Sequence, residues 1–268
     1  MSRSRPEKSS KFRSVHLLET VMYLIHAGIC LVLSTACLAG PSIDLMVENA
    51  AEPFSRADGS GYSNELIVAI FAAVGIEAKL KVVPYTRCKN MVLEARGIAC
   101  FNMAWEPALE GKVKFPSVPL YTVTPIYFQN KSRPVSAQNE AELALGTKIG
   151  VVHGYEYPPS ASSLPKRGVV FVAGNSEQIN LKQLASGSLD AALVMANEIQ
   201  IPTYWAKSAG VTGQVETIFS STKQDVFIGF SIQHPKGLWA LSQFEQGYKI
   251  ISDNGRLKQI KAKWGALK

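Results

Sequence analysis

The chain has 268 residues, a formal net charge of +7, 47% hydrophobic residues and 18% charged residues. This length and composition exclude a disordered or collagen-like chain, and they allow one large domain or two of roughly 100 residues each. Basic residues are concentrated near the N-terminus and are diffuse elsewhere. The composition therefore predicts no nucleic acid partner.

Residues 1–40 have the pattern of a secretory signal peptide. A basic region precedes the apolar stretch Val21–Gly40, and cleavage fits after either Ala36 or Ala39. An uncleaved membrane anchor is an alternative, because about 20 apolar residues can span a bilayer. Cleavage before Cys37 would instead give a lipoprotein. We therefore predict a periplasmic protein, secreted across the inner membrane, with a membrane-anchored or lipid-attached form as the alternative.

Strand and helix patterns alternate along the rest of the chain, which indicates an α/β fold with parallel neighbouring strands. The predicted strands are 43–47, 79–83, 98–104, 125–129, 148–152, 169–172, 189–194 and 226–231. The predicted helices are 63–74, 86–96 and 176–186, followed by two amphipathic helices at the C-terminus. The pattern restarts near residue 148, so we expect two lobes. Ligands of such sheets bind at the carboxyl ends of the strands.

Cys88 and Cys100 are the cysteines of the predicted mature chain, because the other two lie in the leader. In an oxidising compartment this pair predicts a disulfide, with two free buried thiols as the alternative. A helix followed by a returning strand brings Cys100 back toward Cys88. No metal site is predicted, since neither His153 nor His234 lies near a cysteine in the sequence.

Several short motifs follow one another in a characteristic order. They are Glu52–Phe54, Gly59–Tyr62, Val83–Arg87, Phe115–Leu120, Ile149–Tyr157 and Leu184–Asp190. From about Ser42 to the C-terminus, the chain resembles the family 3 solute-binding proteins, the periplasmic receptors of amino-acid-type ABC importers.

This resemblance implies the type II periplasmic binding protein fold, in which two crossover strands join two α/β lobes around a ligand cleft. Lobe 1 would comprise residues 41–129 and 227–268, and lobe 2 residues 130–226. The implied partners are a small-molecule solute and an inner-membrane permease or receptor. We expect a monomer without a cofactor.

The usual clamp for an amino acid is missing from this sequence. The family places an arginine for the ligand carboxylate two residues after a proline, where this chain has Leu109 after Pro107. It places an aspartate for the ligand ammonium where this chain has Met195. A bidentate arginine is the strong geometry for a carboxylate. The resemblance therefore does not imply that this chain binds a standard α-amino acid.

Four candidate ligand-binding residues lie where lobe 1 strands end. Glu48 and Phe54 follow the first strand, and Trp105 and Glu106 follow the third. An indole can stack on a planar or cationic ligand. The alternative for Trp105 is a side chain that fills a gap between the lobes, and the alternative for Glu48 is a solvated loop acid.

Arg87 and three lobe 2 residues complete the candidate set. Arg87 begins a helix, an unfavourable place for a cation unless an anion faces it, although a structural salt bridge explains it equally well. Tyr155 and Tyr157 follow a lobe 2 strand, and aromatic rings with a polar tip suit a closing cleft. Asn197 follows another strand and could hydrogen-bond a ligand.

We predict a non-catalytic binding protein that closes its lobes on a small polar or charged solute for an ABC-type importer. One alternative is a sensory input protein that reports its ligand to a membrane receptor. The other is a periplasmic dehydratase-like enzyme on the same fold. No nucleophile motif or phosphate loop is visible in the sequence, which favours binding over catalysis.

Overall fold

Strands and helices alternate along the described part of the chain, as the sequence pattern predicts. The computed structural model describes Met1, residues 40–197 and residues 200–265. Apart from its two ends, the predicted signal segment lies outside the described residues, and so do the cleavage and anchoring alternatives. Within the described ranges, no helix has the length and apolar character needed to cross a bilayer.

The first part of the fold contains seven strands and two α-helices. They are β1 (Ser42–Glu48), β2 (Ala50–Ala51), β3 (Ser55–Arg56), α1 (Tyr62–Ala73), β4 (Glu77–Val83), α2 (Tyr85–Leu93), β5 (Ala99–Met103), β6 (Val113–Lys114) and β7 (Tyr121–Asn130). Helix α1 buries its apolar stripe, as its spacing predicts. Helix α2 begins one residue earlier than predicted and ends three residues earlier, at Leu93.

The second part contains five strands and five α-helices among the described residues. They are β8 (Lys148–Val152), α3 (Pro159–Ser162), β9 (Val170–Gly174), α4 (Glu177–Ala185), β10 (Ala191–Ala196), α5 (Pro202–Ser208), β11 (Val215–Ser220), β12 (Gln224–Ser231), α6 (Gly237–Asp253) and α7 (Arg256–Lys263). Ser176 caps α4, because its hydroxyl accepts a hydrogen bond from the Ile179 N–H at 3.3 Å.

Two long strands connect the two lobes. The strand order is β4-β1-β5-β12-β7-β10-β8-β9, with β6 paired to β12 and β11 paired to β7. Strands β12 and β7 pair with each other through residues 224–226 and 121–123. From there β7 continues along β10 in the second lobe, while β12 continues along β5 in the first. The predicted two-lobed fold with two connecting strands is confirmed, and the lobe boundaries near residues 129 and 226 stay a prediction.

Each lobe has its own hydrophobic core. In the first lobe, α1, β1, β5, β12 and α6 supply a cluster that includes Leu45, Ile70, Phe101, Phe230 and Phe244. In the second lobe, separate clusters cover the two faces of the sheet. Burial on both faces explains the nearly continuous apolar run of a strand such as β10.

The predicted disulfide joins α2 to β5. Cys88 and Cys100 are bonded, their Cα atoms are 5.6 Å apart, and both side chains are completely buried. The bond therefore confirms the sequence prediction. It also holds the first turn of α2 against the strand that ends at the cavity described below.

Candidate functional site

A cavity of about 50 Å³ lies between the two lobes, at the carboxyl ends of the parallel strands. Residues at or after the ends of β1, β5, β8, β9 and β10 line it, together with residues of β7 and β12. This volume holds about four water-sized groups. The cavity therefore lies where the strand order predicts a ligand site, and both lobes contribute its walls.

Glu48 is the last residue of β1 and is only 2% exposed. The Tyr155 hydroxyl of the second lobe donates a hydrogen bond to Glu48 Oε2 at 3.0 Å. Burial raises the pKa of Glu48 to about 8, the hydrogen bond from Tyr155 acts in the opposite direction, and the charge of Glu177 raises it. Glu48 is thus a buried carboxyl group that is mostly protonated at neutral pH.

Glu156 lies in a second carboxylate cluster and is already neutralised. The Lys89 ammonium is 2.8 Å from Glu156 Oε1 and 2.7 Å from Glu106 Oε1. The Tyr85 hydroxyl and the Ala104 N–H also donate to Glu156, the latter at 3.2 Å. Burial raises the pKa of Glu156, although Lys89 opposes that rise. These bonds connect the first lobe to the loop after β8.

Glu177 is the first residue of α4 and is 4% exposed. Its position at a helix N-terminus is favourable for an acid. Burial nevertheless raises the pKa of Glu177 to about 7, while backbone N–H groups of Glu177 and Met195 lower it part of the way. Among the described residues, no lysine, arginine or histidine is within ion-pair distance of Glu177 or Glu48.

Asn102 reaches the cavity because β5 contains an extra residue. Its backbone is left-handed, with φ of 69°, and the register between β5 and β12 shifts at this point. Such a bulge re-aims a side chain, and a non-glycine residue with positive φ costs conformational energy. Asn102 is 7% exposed, its amide N–H group bonds Glu48 and lowers the pKa of that carboxyl group, and its amide oxygen has no hydrogen-bond donor in the described structure.

Gln200 and Trp205 line the same cavity from the second lobe. They are 2% and 4% exposed. Gln200 Nε2 and Trp205 Nε1 have no hydrogen-bond partner within the described ranges, whereas Gln200 Oε1 accepts from Asn197 at 3.1 Å. A buried donor without a partner costs roughly 1–3 kcal/mol. A bound molecule or water would therefore gain hydrogen bonds here.

Aromatic rings form the remaining walls of the cavity. Phe54 and Tyr121 stack in parallel with their centroids 3.6 Å apart. Tyr155 packs edge-on against Tyr85, with a centroid distance of 5.3 Å. Trp205 closes the second-lobe side. Acidic groups between aromatic faces make a favourable environment for a positive charge.

The structure brings three of the eight predicted ligand-binding residues together at the cavity. These are Glu48, Phe54 and Tyr155. Glu106 lies beside the cavity, where it shares the Lys89 ammonium with the lining residue Glu156. Asn197 lines a neighbouring depression that shares Phe54 with the cavity. The binding role of each of these residues stays a prediction.

Three predicted residues lie elsewhere. The Trp105 side chain is 50% exposed and lies outside the cavity lining. Successive side chains of an extended segment point to opposite sides, and the preceding residue Ala104 faces the cavity. Arg87 is exposed on α2. Tyr157 is buried in the second-lobe core, where its hydroxyl accepts a hydrogen bond from the Val152 N–H at 2.8 Å.

Sequence reasoning missed Asn102, Tyr121, Glu177, Gln200 and Trp205 as lining residues. Tyr121 starts β7, but the sequence pattern predicts this strand only from residue 125, so Tyr121 falls outside the predicted strand. Glu177 could not be found from the sequence, because an acid after a serine cap is an ordinary helix start. The bulge at Asn102 leaves no sequence signal.

The polar groups of the cavity lining are carboxyl, amide, phenol and indole groups. Within residues 40–197 and 200–265, no group of three His, Cys, Asp or Glu side chains could hold a metal ion. The lining contains four glutamates and neither lysine nor arginine. It can therefore offer a ligand carboxyl oxygens, amide and indole groups, and aromatic faces.

The sequence matches no protein-family model and no curated protein. Solved structures do match the fold. A histidine kinase sensor domain with similarity to periplasmic binding proteins is 18% identical, with a TM-score of 0.72 over 84% of this chain and 96% of that chain. An ancestral arginine-binding protein bound to arginine is 16% identical, with a TM-score of 0.70 over 84% and 99%.

A third structure is an amino acid ABC transporter substrate-binding protein from Streptococcus pneumoniae bound to L-arginine. It is 16% identical, with a TM-score of 0.64 over 84% of this chain and 94% of that chain. These likenesses confirm that the chain has the periplasmic binding protein fold.

Proposed function

We propose that this chain is a solute receptor that closes its two lobes around a small molecule. The observation that carries the proposal is that both lobes contribute to the cavity wall. Residues of β1 and β5 in one lobe and of α4 and β10 in the other line the same cavity. The hydrogen bond from Tyr155 to Glu48 crosses between the lobes at the cavity. Hinge motion about two connecting strands is an established way to open and close such a cleft.

The preferred partner is an ABC-type importer permease in the inner membrane, with the receptor acting as a monomer in the periplasm. The predicted signal peptide supports export, and a disulfide is stable in an oxidising compartment. The likeness to a transporter substrate-binding protein supports the same role.

A sensory input protein is the second candidate function. The likeness to a histidine kinase sensor domain, with a TM-score of 0.72, favours it. Retention of residues 21–40 as a membrane anchor would support this candidate, whereas cleavage would support the importer. N-terminal sequencing of the protein purified from the envelope distinguishes the two.

A thermal-shift screen of the purified protein tests solute binding. The panel contains amino acids, amines, small carboxylates, aromatic acids and sugars. A solute at 100 times its dissociation constant adds about 2.7 kcal/mol, enough to raise the melting temperature by a few degrees. Mass spectrometry should recover the bound solute unchanged. A panel without any stabilising solute would contradict the proposal, and chemical conversion of the solute would favour the dehydratase-like enzyme, which carboxyls of raised pKa could serve.

A further inference from the structure

The charge of the cavity is opposite to that of the chain. The whole sequence carries +7, yet four glutamates and no basic residue line the cavity. One of them, Glu52, lies 3.8 Å from the Arg56 guanidinium. Lys89, next to the lining, pairs with Glu156 and Glu106. Glu48 and Glu177 have no cationic partner among the described residues. Two carboxyl groups are therefore available to a ligand.

An independent observation also indicates a ligand. The Asn102 side chain is more than nine-tenths buried and lines the cavity, and its amide oxygen has no hydrogen-bond donor in the described structure, whereas its amide N–H group bonds Glu48. It reaches the cavity from a strained, left-handed residue in a bulge. Strain of this kind persists only where the surrounding structure imposes it, and it is concentrated at functional sites. The Asn102 oxygen can accept a hydrogen bond from an ammonium or guanidinium group.

A ligand carboxylate fits this environment poorly. It would need a cation, and Lys89 is held by two glutamates. It would also be repelled by Glu48 and Glu177 whenever these carboxyl groups are ionised. The unpartnered donors of Gln200 and Trp205 are neutral, so they suit a hydroxyl, a carbonyl or water, and do not balance a second negative charge.

We propose, on the basis of the receptor function above, that the cleft binds a small organic cation without a carboxylate. Glu48 and Glu177 bind its positive charge, the Asn102 oxygen accepts a hydrogen bond from it, and the faces of Phe54, Tyr121 and Trp205 surround its apolar atoms. The cavity of about 50 Å³ fits a head group of a few heavy atoms in this conformation.

This proposal is tested with pairs of probe molecules in which one member carries a carboxylate group and the other does not. Agmatine is compared with arginine, putrescine with ornithine, and choline with glycine betaine, each by isothermal titration calorimetry at pH about 7. We expect at least one carboxyl-free member to bind at least tenfold more tightly than its partner, since a charge buried without a counter-charge is strongly unfavourable.

Substitutions of Glu48 and Glu177 test whether these two side chains bind the positive charge of the ligand. Glu48→Gln and Glu177→Gln keep the shape of the side chain and should each weaken the tightest carboxyl-free probe at least tenfold. Glu245→Gln removes an acid from the exposed face of α6 and should change the affinity less than twofold. Because two separate cavity positions are tested, a folding failure of one variant leaves the other as the test.

The outcomes separate this inference from the receptor proposal. If carboxylate-bearing, neutral or anionic solutes bind and the carboxyl-free amines do not, the cleft is a receptor for another class and the cation inference is wrong. Equal affinity within every probe pair, or unchanged affinity in both cavity variants, also overturns it. If no solute of any class binds, the receptor proposal fails together with this inference.

Discussion

The Lys89 ammonium lies 2.8 Å from the Glu156 carboxylate, although the two residues belong to different lobes. Lys89 is on α2, next to the disulfide at Cys88, and Glu156 follows β8. Both side chains are largely buried, with 13% and 3% of their surfaces exposed. The ion pair therefore joins the lobes beside the cavity. Of the acids that line the cavity, it leaves Glu48 and Glu177 without a cationic partner among the described residues.

Replacing Lys89 should destabilise the protein strongly. Lys89→Met leaves Glu156 buried without its cation, which costs roughly 3–5 kcal/mol in the free energy of unfolding. Urea denaturation measures the loss. Lys81→Met is the control, because Lys81 makes an ion pair with Asp44 at 2.6 Å on an exposed surface and should cost less than about 1 kcal/mol. Glu156→Gln should restore part of the loss in the double variant. Equal effects at Lys89 and Lys81 would contradict this role.

Stability without ligand should fall as the pH rises from about 5 to 8. The pKa of Glu48 is about 8 in the folded protein and 4.5 for an ordinary glutamate. Between these values the folded state binds the extra proton, so each pH unit costs about 1.4 kcal/mol, up to roughly 4–5 kcal/mol in all. Ionisation of Glu177 lowers the free energy of unfolding by the same amount per pH unit, up to its pKa of about 7.

Urea titrations of the wild type and Glu48→Gln at several pH values check this dependence. The variant cannot ionise at this position, so its advantage over the wild type should grow as the pH rises. A constant difference between the two proteins across this window would show that Glu48 is ionised in the fold.

Much of the fold could be predicted from sequence, because periodicity reports which side chains are buried. The predicted strand at 148–152 agrees with β8, and those near β1, β4 and β12 agree within a few residues. Strand β11 and helix α5 were missed. Their sequences are half exposed and lack a regular apolar period.

The site could be predicted only where it depends on strand ends. Glu48 and Tyr155 follow strands, so topology places them at the cavity. The Asn102 side chain reaches the cavity only because of the bulge in β5. Whether the Trp105 side chain faces the cavity is determined by which side of the extended chain points inward after β5. A shift of one residue reverses that side, and sequence alone does not determine it.

The disulfide should be complete in the exported protein. Unfolded in denaturant without reductant, the protein should resist alkylation at Cys88 and Cys100, as read by peptide mass spectrometry. Denaturant is needed because both side chains are fully buried in the native fold and free thiols there would also be protected. Removing the bond with Cys88→Ser and Cys100→Ser together should cost about 2–4 kcal/mol. Alkylation of either residue before reduction would contradict the bond.

Aromatic substitutions should distinguish the cavity wall from the outer surface. Phe54→Leu removes a ring that stacks on Tyr121 at the cavity and should weaken the tightest cationic probe by about fivefold or more. Trp105→Leu and Arg87→Ala alter exposed residues outside the lining and should change the affinity less than twofold. Loss of affinity in Trp105→Leu but not in Phe54→Leu would move the binding site away from the cavity.

Binding of a cation to Glu48 and Glu177 should release protons from these carboxyl groups, and calorimetry measures that release. Calorimetric titration of the tightest carboxyl-free probe, repeated at pH about 7 in buffers of different ionisation enthalpy, counts the protons exchanged. A cation that binds Glu48 and Glu177 must displace the protons they hold, so we expect net release and tighter binding as the pH rises. Proton uptake, or tighter binding as the pH falls, would show instead that the buried carboxyls bind an anion in their protonated form, and would contradict a cation receptor.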